Sequence, residues 1–117
     1  MMRILVVEDE PLLAMLLEEN LADLGHDKVT AVATVDQALS ALDEGPVDAA
    51  LLDFSLGSDT TSVPVALRLR EEGTPFFYLS GHASFDPDSG APEAPMLPKP
   101  VSLDALREAL STLADAR

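Results

Sequence analysis

The sequence predicts a three-layer α/β domain over residues 1–117, a doubly wound sheet of five parallel strands. Three observations carry that expectation. Short, continuous apolar runs alternate with longer stretches of helical period. Pro, Gly and Ser/Thr stand at the junctions between them. Each strand-like run is separated from the next by a segment long enough for a crossover, which parallel pairing requires.

Ile4–Val7, an apolar run ending at Glu8-Asp9-Glu10, reads as a buried first strand. Pro11 suits the first turn of a helix, where its missing N–H leaves no bond unmade. Leu13, Leu16, Leu17, Leu21 and Leu24 follow at helical spacing, and Gly25 supplies the stop. Val29–Val32 is the second strand. Thr34 and Gln37 form a Thr-x-x-Gln capping box, with Val35, Ala38, Leu39 and Leu42 as one apolar stripe and Gly45 closing it. Val47–Asp53 is the third strand, Phe54–Ser62 a loop, and Pro64 opens a helix running to Glu72, stopped by Gly73. Phe76–Leu79 is an aromatic-rich fourth strand ending at Ser80-Gly81, and Met96-Leu97 a short fifth one before Pro98-Lys99-Pro100. Ser102 caps a last helix carrying Leu103, Leu106, Leu110 and Leu113. The segment from His82 to Pro95 holds Pro87, Gly90, Pro92 and Pro95 and shows no helical period, so the fourth crossover helix is degenerate.

A domain of this size buries roughly 65% of its unfolded surface and needs no metal or disulfide staple. The chain has no Cys, which excludes a disulfide framework, a zinc–thiolate site and a cysteine nucleophile. With 21 acidic residues against 7 basic ones the formal charge is −14. That field repels phosphate backbones and anionic lipids, so neither a nucleic-acid nor a membrane partner is expected. No apolar run approaches the roughly 20 residues that cross a bilayer, and the apolar run behind Arg3 is too short for a signal-peptide core. A soluble cytoplasmic domain is the expectation.

The polar residues share one position. The first strand ends in Glu8-Asp9, the third in Asp53, the fourth in Ser80, and the fifth stops just before Lys99. In a parallel sheet these ends lie on one edge, where open α/β folds place their ligands. Uncompensated, two carboxylates 4 Å apart repel by about 4 kcal/mol at an effective dielectric near 20. A cation removes that penalty, and hard oxygen ligands fit Mg²⁺ best, with Mn²⁺ or Ca²⁺ as substitutes. Mg²⁺ held by a few carboxylates keeps positions open for water and phosphate oxygens, which points to phosphoryl chemistry. Lys99, one of only two lysines, sits between Pro98 and Pro100 on a stiffened backbone. Its ammonium suits a bound phosphoryl group, and Asp53 suits a nucleophile that forms an acyl phosphate.

Val6-Val7-Glu8-Asp9-Glu10-Pro11, Leu51-Leu52-Asp53, Ser80-Gly81 and Lys99-Pro100, in this order and spacing, resemble a two-component response-regulator receiver domain across the whole chain. The resemblance implies a flavodoxin-like sheet order, 2-1-3-4-5. It implies phosphotransfer to Asp53 from a histidine kinase or a histidine phosphotransfer protein, without turnover of an external substrate. It further implies Mg²⁺ held directly by Asp9 and Asp53, by Glu8 mainly through water, and by the backbone carbonyl of Ser55. Ser80 would hydrogen-bond the phosphoryl group and Lys99 would pair with it. Output would pass through protein contacts in a phosphorelay, and a homodimer is compatible with this.

Three features depart from the family pattern. Met96 stands where an aromatic switch residue is common, three residues before the lysine. The loop after Asp53 reads Phe54-Ser55-Leu56-Gly57, without the usual proline. The fourth helix is replaced by a Pro-rich stretch. These features are similar to a stand-alone receiver subgroup whose aromatic-x-Thr-Gly motif is echoed by Tyr78-Leu79-Ser80-Gly81, although Ala83 takes the place of its following tyrosine. The altered switch keeps open a phosphate-independent, receiver-like interaction module. A phosphohydrolase with a strand-end Asp nucleophile generally needs Asp-x-Asp on its first strand and a cap domain, and this sequence offers neither. His82 in its loop, His26 after Gly25, and Asp48, Asp59, Asp86 and Asp88 read as solvated surface groups.

Overall fold

β1 (Arg3–Val7), α1 (Pro11–Asp23), β2 (Lys28–Val32), α2 (Val35–Glu44), β3 (Ala49–Asp53), α3 (Val63–Glu72), β4 (Phe76–Ser80), β5 (Met96–Pro98) and α4 (Leu103–Ala116) follow one another along the chain. The structure is a computed structural model that describes residues 3–26, 28–54, 56, 61–80, 92, 94–99 and 101–116; of Ser80 and 113–116 it describes the backbone alone. The degenerate fourth helix expected between β4 and β5, with His82, Ala83, Asp86 and Asp88, falls on residues outside that range, as does Asp59.

All five strands pair in parallel, in the order β2-β1-β3-β4-β5. Side chains alternate across the sheet, so each strand feeds two cores. Leu5, Val7, Ala50, Leu52, Phe76 and Tyr78 face Ala38 and Leu42 of α2 and Val65, Ala66 and Leu69 of α3. Ile4, Val6, Leu51, Phe77 and Leu79 face Leu17 and Leu21 of α1 and Leu106, Ala109 and Leu110 of α4. Among the described residues, two helices on each face make the three layers.

Local chemistry sets the boundaries. Gly25 (φ +94°) and Gly73 (φ +75°) adopt the left-handed conformation that ends α1 and α3. In both, the next residue's N–H reaches back to a carbonyl five residues earlier: His26 to Leu21 at 2.9 Å and Thr74 to Leu69 at 2.9 Å. Thr34 Oγ1 accepts from the Gln37 N–H at 3.1 Å, as the capping box predicts. The Gln37 side chain, however, accepts from Ala33 at 2.9 Å, one residue earlier than expected. Ser102 Oγ caps α4 through the Ala105 N–H at 3.1 Å.

Several expectations need correction. β3 starts at Ala49, not Val47, because Asp48 is engaged beforehand: its N–H donates to the Arg3 carbonyl and its carboxylate accepts from the Arg3 N–H, both at 2.8 Å. Asp48 therefore fastens the start of β1 rather than merely solvating the surface. Within the leucine stripes, Leu16 is 41% exposed and Leu103 38%, because the sheet covers a narrower arc of α1 and α4 than their apolar residues span. His26 is half-buried, its Nδ1 shielded and without a partner among the described residues, instead of a surface group.

Candidate functional site

The strand register brings the polar residues to one rim. Val7 pairs with Leu52 and Asp53 with Leu79, so Glu8, directly after β1, lies beside Asp53 at the end of β3. Ser80 pairs with Pro98, which delivers Lys99 to the same edge. The alternation of buried strand and crossover imposes this convergence, since every parallel strand ends on the same side.

Lys99 Nζ donates to Asp53 Oδ2 at 2.9 Å and to Glu8 Oε2 at 3.3 Å. Glu8 is further held by the Glu10 N–H on its Oε1 at 3.1 Å, while its own N–H donates to the Val32 carbonyl. Glu8 and Asp53 are both buried, and Asp9 lies nearer the solvent. One carboxylate oxygen from each of Glu8, Asp9 and Asp53 falls within 4.8 Å of the others. Ser80 reaches the rim through its backbone; its hydroxyl, and the Ser55 carbonyl, lie outside what the structure describes.

The electrostatics follow from burial. Desolvation pushes the Glu8 carboxyl up to about 7; the Glu10 N–H opposes this and the nearby Asp53 adds to it. Asp53 is also raised, by burial first, with the Lys99 bond pulling the other way. Burial alone would lower the Lys99 ammonium, but its bonds to Asp53 and Glu8 outweigh that and lift it above the usual lysine value. One ammonium thus balances only part of three carboxylates gathered at the rim.

The donor set suits a hard divalent cation. Among the described residues it offers carboxylate oxygens, two of them on buried side chains whose carboxyls burial pushes upward. Beside it, a cleft of about 80 Å³ opens between α1 and the connection from β5 to α4, lined by Leu13, Leu16, Leu17 and Val101 together with Glu8 and Lys99.

The chain matches the response regulator receiver domain over residues 4–111. It belongs to that family. The transcriptional regulatory protein TcrA of Mycobacterium tuberculosis is 38% identical over 117 residues, which cover 95% of this chain and 45% of TcrA. The sensor histidine kinase RcsC of Salmonella typhi is 33% identical over 119 residues, 97% of this chain and 12% of RcsC. This chain therefore spans less than half the length of either relative. The solution structure of SdrG from Sphingomonas melonis Fr1 superposes with a TM-score of 0.81 at 39% identity, covering 96% of this chain and 95% of that one. The protein is a receiver domain of the two-component response-regulator class, in which Mg²⁺ binds an acidic pocket. Among the described residues, no helix is long and apolar enough to cross a membrane.

Two features of the receiver's rim are not evident from the sequence. The resemblance has Glu8 facing a metal through water, whereas its added role as a buried partner of Lys99 depends on how deeply the end of β1 sits in the sheet. Tyr78 donates its hydroxyl to the Pro92 carbonyl at 2.7 Å. The one signal for that bond is a tyrosine placed where packing alone asks for a phenylalanine.

Proposed function

We propose that this receiver domain accepts a phosphoryl group on Asp53 from a phosphohistidine, in a Mg²⁺-dependent step, and passes the signal on through protein contacts in the cytoplasm. The observation that carries the reading is the Lys99 ammonium 2.9 Å from the Asp53 carboxylate, inside a cluster of three carboxylates. An Asp53 oxygen attacks phosphorus in line; the O–P bond forms as the P–N bond breaks, and the imidazole leaves with the electron pair and takes up a proton. The Lys99 ammonium, bonded to the acceptor carboxylate, supports a role in balancing charge on the transferring oxygens. Mg²⁺ held by Asp9, Asp53, the Ser55 carbonyl and, through water, Glu8 would neutralise the phosphoryl oxygens and orient them. Ser80 would donate to one of those oxygens. RcsC, a sensor histidine kinase with a homologous segment, supports a histidine-based donor.

Leu12, Met15 and Leu16 of α1 are 66%, 54% and 41% exposed and stand just beyond Glu10, next to the rim. An apolar patch adjoining the acceptor suits the docking of the protein that carries the phosphohistidine. Incubation with acetyl phosphate and Mg²⁺, followed by intact-mass measurement, tests the reading. The parent chain gains a single phosphoryl group and Asp53→Asn gains none; no gain in the parent leaves the phosphate-independent interaction module in its place. Met15→Glu slows transfer from a phosphorylated histidine protein roughly tenfold and leaves acetyl phosphate labelling unchanged.

A further inference from the structure

Tyr78 is fully buried in the middle of β4, and it holds the segment before β5 in two ways. Its N–H donates to the Pro95 carbonyl at 2.9 Å, and its hydroxyl donates to the Pro92 carbonyl at 2.7 Å. Its ring meets Phe54 edge-on at 5.7 Å and 79°, and Phe76 at 5.4 Å and 83°. Phe54 directly follows Asp53 and is tied to β4 through its N–H on the Leu79 carbonyl. One ring thus touches the residue next to the acceptor and also fastens the chain that returns to β5.

The hydroxyl is not needed for packing, which a phenylalanine would satisfy. Burial holds its pKa up to about 12, so it remains a proton donor at any physiological pH. A buried hydroxyl without a partner is disfavoured, so a displaced ring either carries the Pro92 carbonyl with it or gives up this bond. Met96, the register partner of Tyr78, packs against the same core but is too flexible to transmit a ring rotation. Of the three rings in this layer, Phe54, Phe76 and Tyr78, the tyrosine carries the hydroxyl bond to the Pro92 carbonyl.

We propose that Tyr78 is a positioning residue that couples the state of Asp53, through the edge of Phe54, to Pro92 and residues 94–96 by making or breaking its hydroxyl bond to the Pro92 carbonyl. The inference rests on the acceptor role of Asp53 argued above. Phosphorylation of Asp53 shifts the adjoining Phe54, and the Tyr78 hydroxyl gives up its bond to the Pro92 carbonyl. The surface that changes is then the approach to β5.

The chain has one tyrosine and no tryptophan, so intrinsic emission reports on Tyr78 alone. Acetyl phosphate and Mg²⁺ are added to the full chain while intact mass, emission and amide exchange at Ala94 and Met96 are followed together. Emission and exchange are expected to change in step with the mass gain, and neither changes in Asp53→Asn. Tyr78→Phe, which keeps the ring, still takes up the phosphoryl group, but its exchange at Ala94 and Met96 responds several-fold less; Phe54→Leu uncouples in the same way. If the acyl phosphate forms and emission stays constant, or Tyr78→Phe responds like the parent, the coupling is wrong while the acceptor role stands. If no acyl phosphate forms, the acceptor role fails and this inference fails with it.

Discussion

Among the described residues the receiver shows two charge triads, each a single cation bridging an aspartate and a glutamate. At the rim, Lys99 bonds Asp53 and Glu8 at 2.9 and 3.3 Å, with side-chain exposures of 14%, 7% and 0%. Between α2 and α3, Arg68 bonds Asp43 and Glu72, both at 2.8 Å, with exposures of 30%, 68% and 33%. By distance alone the Arg68 triad is the stronger. Water reverses that order: the exposed triad exchanges its bonds for hydration at little cost, whereas at the rim each charge depends on the others. The exposed triad ties two helices loosely together. The buried one holds an excess of negative charge of the kind a divalent cation would offset.

The largest effect expected from breaking this contrast is that of Lys99→Ala. It leaves two buried carboxylates without their ammonium and destabilises the metal-free protein by about 2–4 kcal/mol in denaturant titration near pH 7.5. The loss shrinks at pH 5.5, where the Glu8 carboxyl holds its proton; equal losses at both pH values would mean the triad is solvated.

A second outcome follows from the raised Glu8 carboxyl. The folded protein keeps this proton up to about 7, whereas the unfolded chain releases it near 4.5. The folded state therefore binds more protons between those values, and stability in EDTA falls as pH rises through that window, by on the order of 2 kcal/mol. Asp53 shifts in the same direction. Mg²⁺ competes with the proton, so adding it at pH 8 restores the loss, and its apparent affinity, measured by calorimetry, weakens below pH 7. Arg68→Ala is the smallest perturbation and leaves the thermal midpoint within about 2 °C of the parent.

The layered fold and the residues of the rim were readable because one geometric rule, strand ends on a common edge, turns the linear order Glu8, Asp53, Ser80, Lys99 into neighbours. What was not readable depends on coverage and depth. The leucines of α1 repeat at helical spacing whether or not the sheet is wide enough to cover them, so Leu16 scans like Leu17 yet stays exposed. Asp48 scans as a surface charge because its partner is the backbone of Arg3, which carries no sequence signal. The Tyr78–Pro92 bond joins positions 14 apart, across a stretch with no period from which its path could be drawn.

The ammonium of Lys99 meets carboxylates 46 and 91 positions upstream in the chain. That counter-charge can arrive only after the last strand has joined the sheet, when all non-local pairings are complete. A nascent or C-terminally clipped chain would display Asp53 without it. Asp53 and Glu8 thus acquire their ammonium only in a chain folded as far as β5, which ties the charge balance of the rim to the completeness of the sheet.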